Sequence, residues 1–134
     1  MNDAAQEIRR LSREGLCCSQ IMIQIGLEAK REENPELLDA VAGLCQGMHF
    51  GLCCGTLTGA ACLLSMLDKG NATLHMIPKL ADWFEMTYTE RYGGVDCECI
   101  LADDPLAKFE RCPKIMEETV EKCRELLAEF GHKI

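Results

Sequence analysis

Hydrophobic residues recur at helical spacing along most of the chain. The first apolar stripe consists of Ala4, Ile8 and Leu11. Asn2 or Asp3 can cap this helix, because a side-chain oxygen there accepts unpaired N–H groups of the first turn, and Gly15 can end it. The pattern therefore predicts an amphipathic first helix whose charged face is exposed.

The next segment, residues 17–29, is mostly apolar and fits two kinds of secondary structure. Ile21, Ile23 and Ile25 occupy every second position, as the buried residues of a strand would. The length of the apolar run is more typical of a buried helix. We therefore expect a second helix here.

Four further helices are predicted from the same spacing and from the Pro and Gly residues at their ends. Their spans are about residues 35–47, 57–67, 78–92 and 113–130. Residues 95–111 are expected to be irregular, with short helical turns near 98–101 and 106–109. Because no strand pair and no linker is evident, we expect an all-α fold, a single-domain bundle of about five to seven helices over residues 1–134.

Composition and charge narrow the class of protein. A hydrophobic content of 48% is typical of a soluble globular chain, and the longest uncharged apolar stretch, residues 59–67, is too short to span a bilayer. The net charge of -8 leaves no basic stripe, so neither nucleic acid nor an anionic membrane is expected as a partner. The N-terminus has no visible secretory or transit signal, which predicts a cytoplasmic location without membrane insertion.

The cysteine content is the unusual feature, with ten cysteines in 134 residues. Such a density suits small secreted proteins held by disulfides, but a chain of this length can form its own core and carries no export signal. Metal ligation or reversible thiol chemistry therefore accounts better for the cysteines. No Cys-x-x-Cys pair occurs, which excludes the thioredoxin dithiol, the paired zinc knuckles and the bacterial ferredoxin motif.

Seven of the ten cysteines fall in four regions where a sulfur atom would be chemically active. These regions are Cys17-Cys18, Cys53-Cys54, Cys97-x-Cys99 and Cys112. The first, second and fourth regions are predicted helix starts, where unpaired N–H groups and a partial positive charge stabilise a thiolate. The third lies in the irregular segment, whose backbone freedom would let a thiolate turn towards a shared centre.

The remaining three cysteines lie within predicted helices rather than at their starts. Cys62 lies inside the apolar central helix and Cys123 on the apolar stripe of the last helix, so both are expected in the core. Cys45 is open to two interpretations, because together with His49 it could also approach a metal.

Four stretches of the sequence together carry a resemblance to a known family. They are Cys18-Ser19-Gln20, Cys54-Gly55-Thr56-Leu57-Thr58-Gly59, Arg91-Tyr92-Gly93 through Asp96-Cys97, and Cys112-Pro113. Over most of its length the chain resembles the C_GCAxxG_C_C family of redox-active cysteine proteins. Thr56 stands where the signature of that family has alanine, and the two cysteine doublets leave more than one ligand set open.

The resemblance implies an iron–sulfur cluster, [2Fe–2S] or [4Fe–4S], that transfers electrons to a redox partner protein. The implied ligands are Cys18, Cys54, Cys97 and Cys112, with Cys17, Cys53, Cys99 and Cys45 as alternates. Gly55 would let the backbone approach the cluster, and Gly59 would either do the same or serve helix packing alone.

Two other functions fit the same cysteines. One is a metal-free thiol–disulfide oxidoreductase, in which one thiolate attacks and another resolves. The other is a structural or sensory zinc protein, in which zinc replaces the cluster as the cofactor. An electron carrier is favoured over an enzyme, and a homodimer is compatible with all three functions.

Overall fold

Helices make up most of residues 3–134, the part of the chain that the computed structural model describes. Their bounds are α1 (Ala4–Arg13), α2 (Cys18–Lys30), α3 (Pro35–Val41), α4 (Gly55–Leu67), α5 (Lys69–Asn71), α6 (Ile77–Tyr92), α7 (Cys97–Leu101) and α8 (Ala107–Glu129). Within the described range no strand forms, and the only β-type pairing is an isolated antiparallel bridge between Cys53 and Asp96. The prediction of an all-α fold is confirmed.

The first two helices follow the sequence prediction. The carboxylate of Asp3 accepts the N–H of Ala5 at 2.9 Å and so caps α1, whereas the alternative cap, Asn2, lies outside the described residues. Gly15 follows α1 with a φ of 88°, a left-handed conformation that glycine adopts without strain. The isoleucines of α2 are all buried, which explains their strand-like spacing in a helix that is covered on several sides.

Two clusters of buried side chains hold the helices together. The larger one joins α1, α2, α4, α6 and α8 and includes Met22, Leu63, Leu80 and Leu126, all almost fully buried. Burial of each such side chain contributes about 1.5–3 kcal/mol. The smaller cluster lies between α6, α7 and α8 and consists of Cys54, Phe84, Tyr88, Cys97, Ile100 and Ile115. Two of the predicted ligands therefore belong to the core rather than to a surface loop.

The close contact between α2 and α4 depends on a glycine. A Cβ atom on Gly59 would lie 2.9 Å from the Cα atom of Ser19, closer than two such atoms can approach. The side chain of Ser19 is completely buried at this crossing. The packing interpretation of Gly59 therefore has a direct geometric basis.

Two predicted helix bounds were wrong. The third helix ends at Val41 rather than near Gly47, because a 3-10 turn at Ala42–Leu44 and the left-handed residue Gln46, with a φ of 53°, turn the backbone away. The last helix begins at Ala107 rather than at Pro113. Asp104 accepts the N–H of Leu106 at 2.9 Å and so initiates the turn that leads into α8. Pro113 lies inside α8, where its missing N–H removes only one backbone hydrogen bond.

None of the helices in residues 3–134 combines the length and the apolar character that crossing a bilayer requires.

Candidate functional site

The bridge between Cys53 and Asp96 brings two distant parts of the chain together. Cys54 N–H donates to the carbonyl of Val95 at 3.2 Å, and Cys97 N–H donates to the carbonyl of Leu52 at 2.7 Å. This pairing sets the N-cap of α4 beside the first residue of α7. As a result, the thiol of Cys97 donates a hydrogen bond to the sulfur of Cys54.

A cavity of about 450 Å³ opens beside this pair. Four free cysteines line it: Cys18, Cys54, Cys97 and Cys112. They come from the start of α2, the cap of α4, the start of α7 and the second turn of α8. The walls between them are mostly apolar, with contributions from Leu16, Ile21, Leu101, Phe109, Ile115 and Met116. All four cysteines singled out in the sequence therefore face one space.

Cys54 is the most acidic thiol of the group. The hydrogen bond from Cys97 lowers the pKa of Cys54 to about 6, although burial opposes this shift. The N–H groups of Thr56 and Leu57 in the first turn of α4 stabilise the thiolate further. The same hydrogen bond raises the pKa of Cys97, whose proton is held between the two sulfur atoms. Within the pair, Cys54 is therefore the sulfur that gives up its proton more readily, and Cys97 is the one that keeps it.

The other two cavity cysteines hold their protons. Burial raises the pKa of Cys112 to about 11, and the negative charge of Cys54 adds to the effect. Burial and the charge of Cys54 likewise raise the pKa of Cys18, while the N–H of Gln46 partly offsets this. Because the thiolate of Cys54 acts on all three neighbours, the four sulfur atoms form one electrostatic unit.

Gly55 makes room for this arrangement. A Cβ atom at Gly55 would lie 2.7 Å from the sulfur of Cys18 and 2.8 Å from the carbonyl oxygen of Leu44. The second contact is with backbone, which cannot rotate away as a side chain can. Gly55 is thus closely approached by a cysteine sulfur and a carbonyl of this chain, while its approach to a cluster stays a prediction.

The four cysteines suggested as alternate ligands have different environments. Cys17 and Cys45 are joined by a disulfide with a Cα–Cα distance of 6.2 Å, so neither is a free thiol in this structure. Sequence reasoning missed this pair, because nothing in a separation of 28 residues indicates proximity. Cys53 and Cys99 are half-buried and do not line the cavity.

Two cysteines outside the cavity, Cys62 and Cys123, were both predicted to lie in the core. Cys123 is completely buried in the larger core cluster, as expected. Cys62 is exposed, so its assignment to the core was wrong. The apolar sequence of α4 did not reveal which of its residues are covered. His49, the companion suggested for Cys45, instead contacts the carbonyl oxygen of Ala42 at 3.0 Å.

No three His, Cys, Asp or Glu side chains of residues 3–134 are gathered tightly enough to hold a metal ion as they stand. The four cavity cysteines line a shared space without forming such a group.

Comparison with protein-family models matches residues 16–126 to a family described as "Putative redox-active protein (C_GCAxxG_C_C)". The matched range includes all four cavity cysteines and both signature glycines. No curated protein and no solved structure was found to match the chain.

Proposed function

Because this chain belongs to the C_GCAxxG_C_C family of redox-active proteins, we propose that its cysteine cavity binds an iron–sulfur cluster and that the protein carries electrons. One observation carries the proposal: four cysteines from four separate helices line a single cavity. Four cysteine thiolates are the usual ligands of both [2Fe–2S] and [4Fe–4S] clusters.

The cavity suits such a group in size and in chemistry. Its volume of about 450 Å³ falls in the range of roughly 300–1,000 Å³ that is common for small-ligand sites. The apolar walls would exclude water, and the absence of a Cβ at Gly55 leaves the sulfur of Cys18 unobstructed. These features support the proposed cluster.

The residues of the chain would orient the ligands and tune the site. Backbone N–H groups of Gln46, Gly55 and Thr56 lie next to the sulfur atoms of Cys18, Cys97 and Cys54, respectively. N–H groups that donate to ligand sulfurs raise the reduction potential of such sites, whereas burial lowers the polarity around them. A bound cluster would supply one-electron chemistry, which requires a redox partner protein.

Anaerobic purification of the whole chain, followed by iron and acid-labile sulfide analysis with visible and electron paramagnetic resonance spectra, tests this proposal. We expect iron and sulfide in equal amounts in the wild-type protein and their loss in Cys18→Ser, Cys54→Ser, Cys97→Ser and Cys112→Ser. The matched control is Cys62→Ser, because this cysteine is exposed and lies outside the cavity. A folded protein that takes up no iron after reconstitution would overturn the proposal. Zinc alone would instead indicate a zinc protein.

A second function, metal-free thiol–disulfide exchange, is favoured by the hydrogen bond between Cys54 and Cys97. In this reaction the Cys54 thiolate attacks a substrate disulfide, forms a mixed disulfide and releases one substrate thiolate. Cys97 then loses its proton and attacks the sulfur of Cys54, which releases the second substrate thiolate. The substrate gains two electrons, and the protein gains a Cys54–Cys97 disulfide.

Thiol counting separates this function from the first. Metal-free protein that is treated with a small-molecule disulfide should lose two titratable thiols, and Cys54→Ser should lose none of its remaining thiols by this route. If the wild-type protein and Cys54→Ser respond alike, the exchange reaction does not use this pair.

A further inference from the structure

The Cys17–Cys45 disulfide lies beside the cavity and joins the start of α2 to a 3-10 turn. Cys17 is the N-cap of α2, and Cys45 follows the 3-10 turn at Ala42–Leu44. Both residues line the cavity next to the four free cysteines. Their Cα–Cα distance of 6.2 Å is within the usual range of about 4.4–6.8 Å for such bonds.

The sulfur of Cys45 has a hydrogen-bond acceptor that a disulfide cannot use. Ser19 Oγ lies 2.9 Å from this sulfur and donates its single proton to the carbonyl of Val41 at 2.6 Å. A disulfide sulfur has no proton to donate, so in the oxidised state Ser19 Oγ accepts no hydrogen bond from Cys45. Once Cys45 carries a thiol, its S–H can donate to Ser19. Because Ser19 is fully buried, water cannot take this place.

The sulfur of Cys17 has an equivalent acceptor. Gln20 Oε1 lies 3.3 Å from it and also accepts the N–H of Cys17 at 3.1 Å. The orientation of this amide is fixed, because Gln20 Nε2 donates to the carbonyl of Leu38 at 2.9 Å. Both sulfur atoms therefore face an oxygen suited to the thiol state, and reduction needs no rearrangement of polar groups.

The two sulfur atoms differ in exposure. Cys17 is half-buried, whereas Cys45 is only 2% exposed. A thiolate that attacks from outside can therefore reach the sulfur of Cys17 and displaces Cys45 as the leaving group. The leaving sulfur is the one closer to Ser19 Oγ, at 2.9 Å compared with 3.8 Å for the sulfur of Cys17.

We propose that Cys17 and Cys45 form a reversible disulfide–dithiol couple, a second redox centre that accepts two electrons from a dithiol reductant. One thiolate of the reductant attacks Cys17, the Cys17–Cys45 bond breaks, and Cys45 leaves as a thiolate that takes up a proton. The second thiolate of the reductant then attacks the other reductant sulfur, which is bonded to Cys17 in the mixed disulfide. This step frees Cys17, which is protonated, and leaves the reductant as a disulfide. The couple does not depend on whether the four-cysteine cavity binds a cluster.

A redox titration of the full folded chain tests the proposal. The protein is equilibrated anaerobically, without denaturant, in mixtures of reduced and oxidised dithiothreitol. It is then quenched with acid and labelled with two isotopically distinct alkylating reagents before and after full reduction. Mass spectrometry reports the fraction of Cys17 and Cys45 that is free. We expect both to change together, reversibly and with two-electron stoichiometry, while circular dichroism shows that the helices persist.

A Ser19→Ala variant tests the role of the acceptor. Loss of one hydrogen bond that exists only in the dithiol state should shift the equilibrium about two- to tenfold towards the disulfide. Ser65→Ala, a serine on α4 outside the cavity lining, is the matched control and should show no shift.

Three results would overturn the proposal. The bond could open only in denaturant, which would make it purely structural. Cys17 could pair with a cysteine other than Cys45. Ser19→Ala could behave like Ser65→Ala, which would show that the dithiol state gains nothing from this contact. Each of these readouts comes from the labelling of two residues, so a missing iron–sulfur cluster would not be confused with any of them.

Discussion

The sulfur atoms of Cys54 and Cys97 share a hydrogen bond, although 43 residues separate them in the sequence. The backbone bridge between Cys53 and Asp96 is what aligns them. The local sequence pattern places Cys54 at a helix start, but only the long-range backbone pairing brings the thiol of Cys97 to it as a hydrogen-bond donor. The four cavity cysteines are therefore not equivalent, because the pKa of Cys54 is lowered whereas the pKa values of Cys18, Cys97 and Cys112 are raised.

The first prediction concerns this hydrogen bond. In the metal-free wild-type protein, the ultraviolet absorbance of one thiolate should appear as the pH rises through about 6, the pKa of Cys54. Cys97→Ala removes the donor, so the pKa of Cys54 should rise and the absorbance should appear at higher pH. Cys97→Ser keeps a hydroxyl donor and should show a smaller shift. The interpretation fails if Cys97→Ala and the wild-type protein titrate alike.

The second prediction is that Gly55→Ala disturbs the cavity. The new Cβ would lie 2.7 Å from the sulfur of Cys18 and 2.8 Å from the carbonyl oxygen of Leu44. Overpacking of this kind costs about 1–3 kcal/mol of unfolding free energy, which urea unfolding would measure. Iron content should fall as well, because Cys18 must move.

The control for this variant is Gly43→Ala, since nothing lies within 4 Å of a Cβ at that position. Gly43 belongs to the 3-10 turn that leads to the cavity, so both variants change the same part of the molecule. Equal stability and equal iron content in the two variants would argue against a steric role for Gly55.

Sequence patterns predicted the helices well where the helices are amphipathic or have clear ends, as the Asp3 cap of α1 shows. They also indicated the helix-start position of Cys18 and of Cys54, because glycines precede one and follow the other. They failed at Cys112, which lies inside α8, since one proline can be accommodated in a long helix that starts earlier.

The Cys17–Cys45 bond and the exposure of Cys62 could not be predicted for a different reason. The bond depends on how the 3-10 turn at Ala42–Leu44 lies against the start of α2. The exposure of Cys62 depends on which side of α4 is covered at its crossing with α2, where Gly59 lies. An apolar helix has no polar face to show which side is covered. Tertiary packing alone supplies that information.

The third prediction addresses that crossing. Gly59→Ala should lower the free energy of unfolding by about 0.5–2 kcal/mol, because the overpacking penalty exceeds the gain in helix propensity. Urea unfolding followed by circular dichroism measures the change. Gly70→Ala is the matched control, since a Cβ there meets nothing within 4 Å, and it should be neutral or slightly stabilising. A destabilised Gly70→Ala with an unaffected Gly59→Ala would contradict the packing argument.

The fourth prediction is a pH dependence that involves Glu118. Its carboxylate accepts two hydrogen bonds from Arg91, at 2.7 and 3.0 Å, and one from the hydroxyl of Tyr88 at 2.9 Å. These contacts, chiefly those of Arg91, lower the pKa of Glu118 below its ordinary value of 4.5. Tyr88 packs in the cluster that also contains Cys54 and Cys97. The contacts of Glu118 with Arg91 and Tyr88 therefore connect α8 to α6 next to the cavity.

A depressed pKa means that the unfolded chain binds the proton more readily than the folded chain does. The stability from Glu118 is therefore fully present above pH 4.5 and is lost as the pH falls through the lower, folded-state pKa. Glu118→Gln should be less stable than the wild-type protein at neutral pH, and the difference should shrink in acid. Glu121→Gln, an exposed site on the same helix, should show no such pH-dependent difference. A gap that stays constant with pH would exclude the charge as its source.

The fifth prediction separates core cysteines from cavity cysteines. Cys123 is fully buried, and burial raises its pKa to about 12, so it stays a neutral thiol that fills space. Cys123→Ala should therefore lower the free energy of unfolding by about 1 kcal/mol through the space it leaves, while iron content and the thiolate titration of Cys54 stay unchanged. Cys62→Ala removes the same atoms from an exposed position, and its effect on stability should stay within about 0.5 kcal/mol. If Cys123→Ala abolished the Cys54 titration while the helices persisted, the cavity would depend on a residue that does not touch it. The separation of Cys123 from the four cavity cysteines would then be wrong.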